Sequence, residues 1–284
     1  MESGAIRVGL KLSPQLTSVD ELRAVWRLAD ETGFDHVWNF DHFASIQGEP
    51  TGPVFEGWAL LAAMAEATRR VRIGCLVTGN PYRHPAVLAK LATTVDQLSG
   101  GRLEFGIGAG WADNEFRMLG MPYSPKTRFR QLEEAIDVIK LLWTEKSADY
   151  QGRFYRLEGA IHEPKPVQKP HPPIWVGGEG EERTLRIVAK YADVWNTAGV
   201  RGGPEQAIRV SRVLDQRCEE IGRDPASIRR SCGVRFTGDE DETMRGAEML
   251  KKAGFTELIV TVLGPQAPQH AEIAGSRLLE RLRE

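Results

Sequence analysis

The chain has 284 residues, of which 41% are hydrophobic and 27% charged, a size and composition that favour one large barrel over two ordinary domains. The formal net charge of -2 and the scattered Lys and Arg residues argue against nucleic acid or a membrane surface as the partner, and leave an enzyme acting on a small molecule as the default expectation. No C-x-x-C pair and no membrane-spanning apolar run occur, so we expect a cytoplasmic protein in which Cys75, Cys218 and Cys232 are buried thiols.

Strand-like runs alternate with helical patterns along the whole chain. The first helix is predicted to begin at the capping box Ser18-x-x-Glu21 and to end at Gly33. Eight strands are predicted, at residues 6–12, 37–40, 73–77, 103–108, 174–177, 194–197, 228–236 and 257–263. This alternation is typical of an α/β protein with a single (β/α)8 TIM barrel, which we expect to form one domain over residues 1–284.

One irregular segment interrupts the alternation before the fifth strand. Residues 150–155 are typical of a small hairpin, and a Pro-rich loop follows them. We therefore predict an insertion at about residues 144–173.

The residues that follow each strand are the candidates for chemistry, because barrel enzymes place their active sites at the carboxyl ends of the strands. The second strand runs into Asp41 and His42, where the imidazole could move a proton and the aspartate could fix its tautomer. The third strand leads to Arg83 and His84, which also suit an ordinary turn at a helix start, with Pro85 at the first helical position.

Glycine-rich loops follow the fourth and fifth strands. The loop with Gly177, Gly178 and Gly180 precedes a helix, an arrangement that suits the binding of a phosphate. The other loop has glycines at 106, 108 and 110. The dinucleotide-binding fingerprint G-x-G-x-x-G would need its third glycine at position 111, where this chain has Trp111, so a Rossmann fold is disfavoured. No H-E-x-x-H, P-loop or Gly-x-Ser-x-Gly pattern occurs, and no metal site is predicted.

Together these residues resemble the bacterial luciferase-like monooxygenase superfamily, and within it the oxidoreductases that use the deazaflavin coenzyme F420. The matching segments are 33–38, 41–43, 83–85, 98–103, 106–111, 114–115, 173–178 and 192–196. The resemblance implies a barrel that is usually a homodimer. It also implies a flavin-type ring across the strand ends, with the cofactor phosphate on the loop at Gly177 and Gly178.

Carried over residue by residue, the resemblance implies His42 and Asp41 as catalytic residues near the ring. It places the family's strand-three bulge, with its cis peptide beneath the ring, at Leu76 and Val77. Cofactor contacts are implied for Leu76, Val77, Thr78, Asn80, Arg83, His84, Gly108, Ala109, Gly110, Val176, Gly177 and Gly178, and a substrate pocket for Trp38, Phe43, Trp111 and Trp195. Because Trp111 replaces an acidic residue of the sugar-phosphate dehydrogenases, a hydrophobic or aromatic substrate is expected.

The cofactor decides the chemistry. We expect hydride transfer between coenzyme F420 and a small organic substrate. The alternative is a two-component FMN-dependent monooxygenase that uses O2 and receives reduced FMN from a separate reductase. A second alternative, a non-catalytic flavin-binding barrel, requires that His42 is buried and that no cleft is open above the ring. The oligoglutamyl tail of F420 would meet cations, for which the candidates are Arg83, Lys126, Arg128, Lys165 and Arg183.

Overall fold

The computed structural model describes residues 5–46, 48–49, 51–199 and 202–284. The first four residues, which belong to the predicted domain, lie outside these ranges. The strands are β1 (Arg7–Leu12), β2 (His36–Asn39), β3 (Arg72–Cys75), β4 (Thr78–Gly79), β5 (Leu103–Gly108), β6 (Ala148–Gln151), β7 (Arg156–Ala160), β8 (Ile174–Gly177), β9 (Val194–Thr197), β10 (Arg229–Arg235) and β11 (Glu257–Val262). The α-helices are α1 (Val19–Thr32), α2 (Gly57–Ala67), α3 (Pro85–Leu98), α4 (Asp113–Met118), α5 (Arg128–Thr144), α6 (Thr184–Tyr191), α7 (Gly203–Glu219), α8 (Glu240–Lys252), α9 (Ala267–Ile273) and α10 (Leu279–Arg283).

Eight parallel strands form a closed ring in the order β1, β2, β3, β5, β8, β9, β10 and β11, and β11 pairs with β1. The predicted TIM barrel is confirmed, and all eight predicted strands are present. The third one differs: it leaves the ladder after Cys75 and resumes as β4, where Thr78 pairs with Ile107 of β5. The Leu76–Val77 peptide bond between them is cis, as the resemblance implied.

Local signals account for the ends of the first helix and for the insertion. The Ser18 hydroxyl accepts the Glu21 N–H, the Glu21 carboxylate accepts the Ser18 N–H, and Gly33 ends α1 in the left-handed conformation at φ 104°. Between α5 and β8, the antiparallel strands β6 and β7 form the predicted hairpin. The Pro-rich loop that follows is tied to α3, because Gln168 donates to both carboxylate oxygens of Asp96.

The lower barrel interior is filled by side chains. At the amino ends of the strands, the buried carboxylate of Glu257 pairs with Arg7, Arg229 and, at 2.9 Å, His36. Above this ionic layer lies an aromatic one, in which Trp38 and Trp175 pack with ring centroids 4.6 Å apart. Both layers exclude a ligand, which leaves the carboxyl ends of the strands for a site.

Three further properties bear on function. All three cysteines are buried, as predicted. Across the described residues, no helix is long and apolar enough to span a membrane. The same residues contain no group of three or more His, Cys, Asp or Glu side chains that could hold a metal ion.

Candidate active site

A hydrogen-bonded cluster around Glu115 lies at the carboxyl end of the barrel. Glu115 is supplied by α4, directly after β5, and one of its oxygens lies 2.9 Å from Nδ1 of His42 and accepts the Tyr82 hydroxyl. The other oxygen accepts the backbone N–H groups of Phe43 and Ala44, the latter at 2.7 Å. Burial opposes ionisation of Glu115, but the hydrogen bonds from His42, Tyr82 and Phe43 outweigh it, so the pKa of this carboxyl lies below its ordinary value.

The same hydrogen bonds define the state of His42. Because an ionised carboxylate only accepts, Nδ1 of His42 carries the proton that it donates to Glu115. Within the described ranges, Nε2 of His42 has no hydrogen-bond partner. Trp111 lies against the imidazole edge with ring centroids 5.4 Å apart, and 11% of the His42 side chain is exposed. Nε2 is therefore the ring nitrogen left for a ligand.

Asp41 does not fix the His42 tautomer, which corrects our sequence interpretation. Its two oxygens accept from the Arg83 guanidinium at 2.7 and 2.9 Å, and one of them also accepts the Gly79 N–H. Burial raises the pKa of the Asp41 carboxyl, an effect that the guanidinium opposes. Arg83 also pairs with Glu56 and is nearly buried, so it is not a free cation for a cofactor tail. Asp41 and Arg83 form a structural ion pair under the loop that carries His42.

Val77 forms a ridge between glycines of two neighbouring strands. A Cβ atom at Gly108 would lie 2.9 Å from Cγ2 of Val77, and one at Gly177 would lie 2.9 Å from Cγ1. Both positions therefore require glycine, because side chains there would displace Val77. Ala109 and Gly110 continue from β5, and Gly110 turns the chain with φ 78°. A planar ring could lie against this surface, which is built largely from backbone and the Val77 side chain.

The glycine loop after β8 leads into α6. Gly178 has φ 127°, its N–H donates to the Asn196 carbonyl at 3.0 Å and its own carbonyl accepts the Trp195 indole N–H. The N–H of Gly178 is thus already used and is not a phosphate donor. A Cβ at Gly180 would lie 2.8 Å from Oγ1 of Thr184, the first residue of α6. This cradle, together with the helix N-terminus, fits a phosphate.

Of the other predicted cofactor contacts, some have a free hydrogen-bonding group and others are already used within the protein. Asn80 is buried and its Oδ1 lacks a partner in the described ranges, so it can accept a hydrogen bond from a ligand. Thr78 is buried and its hydroxyl accepts from the Trp58 indole at 3.2 Å. His84 accepts the Ala86 N–H at 3.2 Å and caps α3, which supports the ordinary-turn interpretation. Val176 is buried in the core.

Two of the four residues predicted to form the substrate pocket do not line the mouth of the barrel, which is the opening at the carboxyl ends of the strands. Trp38 is 0% exposed inside the barrel, where its indole donates to His36. Trp195 is also 0% exposed but packs on the outer side of its strand, where its ring lies 6.1 Å from Phe255. In contrast, 63% of Trp111 and 36% of Phe43 are exposed, and both flank the His42 cluster.

Lys11 was not predicted as a site residue, because it lies within a strand that is apolar apart from Arg7 at its start. It pairs in register with Trp38 and Thr261, so its side chain points into the barrel, and its amine donates to the Leu76 carbonyl at 3.2 Å. The sequence feature that could have indicated Lys11 is a single charge at the carboxyl end of β1.

A cavity of about 460 Å³ lies at the same end of the barrel. It is lined mainly by residues that end or follow β1, β9, β10 and β11, among them Ser13, Ala198, Arg235 and Val262.

The cations predicted to meet the cofactor tail lie at different ends of the barrel. Lys165 donates to the Leu142 carbonyl near the carboxyl end of α5, so it lies at the opposite end of the barrel from the mouth. Arg128 and Arg183 both lie over the Phe129 ring, at 4.9 and 5.6 Å, and Lys126 is exposed just before α5. Arg128 and Arg183 therefore lie next to each other, and Arg183 directly precedes α6 at the end of the glycine loop.

Curated proteins of two activities are similar to this chain. A dimethylsulfone monooxygenase of Pseudomonas putida, described as FMNH2-dependent, is 30% identical over 83% of this chain and 63% of its own length. A glucose-6-phosphate dehydrogenase of Microbacterium testaceum, described as F420-dependent, is 31% identical over 98% of this chain and 80% of its own. The chain spans 63% of the Pseudomonas enzyme and 54% of four other curated relatives that it matches.

Solved structures share the fold. An F420-dependent secondary alcohol dehydrogenase in complex with an F420–acetone adduct superposes with a TM-score of 0.88 at 20% identity, over 99% of this chain and 100% of that one. The model of the luciferase-like monooxygenase family matches residues 5–281. The chain therefore belongs to the luciferase-like monooxygenase family.

Proposed function

We propose that this protein is an oxidoreductase that transfers a hydride between coenzyme F420 and a small hydrophobic or aromatic substrate at the carboxyl end of the barrel. The observation that carries the proposal is the His42–Glu115 pair, which leaves Nε2 of His42 available beside the exposed ring of Trp111. The similarity to the F420-dependent glucose-6-phosphate dehydrogenase of Microbacterium testaceum supports the choice of cofactor.

Residues of this chain fit the cofactor at three places. The ridge of Val77 between Gly108 and Gly177 would support the ring, and the unpartnered Oδ1 of Asn80 would accept a hydrogen bond from it. The Thr184 hydroxyl and the backbone before α6 would hold the phosphate. When bound, a deazaflavin supplies hydride chemistry, whereas a reduced flavin reacts with O2.

His42 has the geometry of a general base or acid. When an alcohol is oxidised, the carbon loses a hydride with its electron pair and the hydroxyl loses a proton, which Nε2 of His42 accepts. The imidazolium that forms is stabilised by Glu115, 2.9 Å from Nδ1. Tyr82 and the backbone of Phe43 and Ala44 hold Glu115 in place for this role.

The exposed side chains at the mouth support the proposed substrate class. The carboxylate of Glu115 faces His42 and the loop backbone, while the surface that a substrate meets carries the exposed rings of Trp111 and Phe43. Binding an apolar substrate buries the apolar surface of these rings, which is favourable. The rings offer few hydrogen-bonding groups to the hydroxyls of a sugar. A hydrophobic or aromatic alcohol or carbonyl compound is the matching substrate.

A two-component FMN-dependent monooxygenase is the second candidate, supported by the Pseudomonas relative. It would need a separate reductase, and for either cofactor a homodimer is our expectation. The non-catalytic barrel has less support, because 11% of the His42 side chain is exposed and its Nδ1 is bonded to Glu115, which leaves Nε2 for a ligand.

Titration with F420, FMN and riboflavin tests the proposal. F420 should bind most tightly, and its affinity should fall as salt rises, because Lys126, Arg128 and Arg183 would attract its anionic tail across a Debye length of about 10 Å at 0.1 M salt. FMN binding that is tighter than F420 binding and an F420 affinity without salt dependence would favour the monooxygenase. Binding of none of the three would refute the proposal.

A variant of the phosphate loop sharpens the same test. Gly180→Ala places a Cβ 2.8 Å from Oγ1 of Thr184 and should displace that hydroxyl. FMN binding should weaken by about 1–3 kcal/mol, the cost of an unsatisfied polar partner. Riboflavin, which lacks the phosphate, serves as the matched ligand and should bind as before. Equal weakening of both ligands would contradict a phosphate site here.

A further inference from the structure

Lys11 is a cation that the proposed chemistry does not use. It lies half-buried at the carboxyl end of β1, and its amine donates to the Leu76 carbonyl at 3.2 Å. Within the described ranges, no carboxylate lies within ion-pair distance of this amine. A partly buried charge without a counter-charge is costly, which gives a ligand of opposite charge a reason to bind there.

Two other charged groups at this end of the barrel are compensated within the protein. Arg83 pairs with Asp41 and with Glu56. Glu115 accepts from His42 and Tyr82. Lys11 thus differs from Arg83 and Glu115 in having only a neutral carbonyl as its hydrogen-bond partner.

The partner of Lys11 indicates which part of a ligand it faces. Leu76 directly precedes Val77, whose side chain forms the ridge between Gly108 and Gly177. Trp38 and Thr261 flank Lys11 in register on the inward face of the barrel. The amine therefore lies beneath the surface against which a ring would rest, rather than at the exposed rim.

We propose that Lys11 is a positioning residue that fixes the Leu76 carbonyl and favours the reduced, negatively charged state of the cofactor ring. This inference rests on the proposed function. A ring that accepts a hydride gains two electrons and one proton, and so gains one negative charge that an ammonium group beneath it stabilises. Burial lowers the pKa of the Lys11 amine, and a negative charge on a ring above it would oppose that effect and favour the protonated form.

The test measures cofactor binding rather than turnover. Dissociation constants are determined for oxidised cofactor, and anaerobically for cofactor reduced with dithionite, using F420 or FMN, whichever the wild-type protein binds. Lys11→Met should raise the ratio of the reduced to the oxidised constant about tenfold, which corresponds to a midpoint potential lower by about 30 mV for a two-electron couple. Lys11→Arg, which keeps the charge, should restore the wild-type ratio to within a few fold.

Matched controls separate charge from structure. Lys146→Met removes an exposed cation after α5 and should leave the ratio unchanged. If Lys11→Met does not fold, Lys11→Gln, which can still donate to the Leu76 carbonyl, provides the same comparison. Equal weakening of both redox states, or an Arg variant that behaves like the Met variant, would overturn the proposal. Failure of the wild-type protein to bind either cofactor would instead refute the proposed function.

Discussion

Replacing Glu115 by Gln tests whether the His42 cluster works as a unit. One of the two carboxylate oxygens becomes an NH2 group, which cannot accept. This NH2 group then faces one of two sets of donors: either His42 and Tyr82, or the backbone N–H groups of Phe43 and Ala44. In both cases two hydrogen bonds are lost. Each lost charge-assisted bond contributes about 1.5–3 kcal/mol, so we expect a stability loss of roughly 2–4 kcal/mol in denaturant unfolding. The exposed Glu66→Gln on α2 should change stability by less than about 0.5 kcal/mol.

The catalytic consequence follows from the same geometry. Without the carboxylate, the imidazolium of His42 loses its counter-charge and its fixed orientation, so kcat should fall about 10²-fold, which is about 2.7 kcal/mol. The assay is a double-mutant cycle on kcat with Glu115→Gln, His42→Ala and the pair. If the two residues act together, the double variant should be little worse than His42→Ala alone. Strictly additive losses would refute the claim that Glu115 acts through His42.

Two further predictions concern stability. Arg83→Met leaves the buried Asp41 carboxylate without its cation and should cost about 3–5 kcal/mol in denaturant unfolding. Adding Asp41→Asn should recover part of this loss, and a cost below 1 kcal/mol for Arg83→Met alone would contradict the buried pair. Burial, with Lys90 and Lys165 adding to it, lowers the pKa of His162 to about 4. Because the unfolded chain takes up this proton near pH 6.5, stability should fall as the pH drops through that value, by about 1–2 kcal/mol at pH 5. His162→Gln, which can still bond to Thr93, should reduce the difference in unfolding free energy between pH 7 and pH 5, and an unchanged difference would show that another group is responsible.

Local patterns were sufficient to predict the barrel. Each strand is marked by its own run of apolar residues and each helix by its own periodicity and caps, and these signals do not depend on distant parts of the chain. The bounds of β5, β8 and β9 matched the prediction residue for residue. The chain also showed which residues follow the strands, and therefore which loops form the mouth.

Contacts across the mouth were decided only by the tertiary structure. Asp41 and His42 are neighbours in sequence, but side chains of consecutive residues in extended chain point in opposite directions. Asp41 consequently faces Arg83, whereas His42 meets Glu115, 73 residues further along. Such a pair depends on where two loops meet around the closed ring.

The direction of each side chain on a strand was equally undetermined by sequence. Trp38 lies inside the barrel and Trp195 outside it, although both follow similar apolar patterns. Strands buried on both faces are apolar at every position, so their pattern does not show which residues point inward. Closure of the barrel sets the inward face of β1, and it therefore also decides that the Lys11 side chain points into the barrel, beside Trp38 and Thr261.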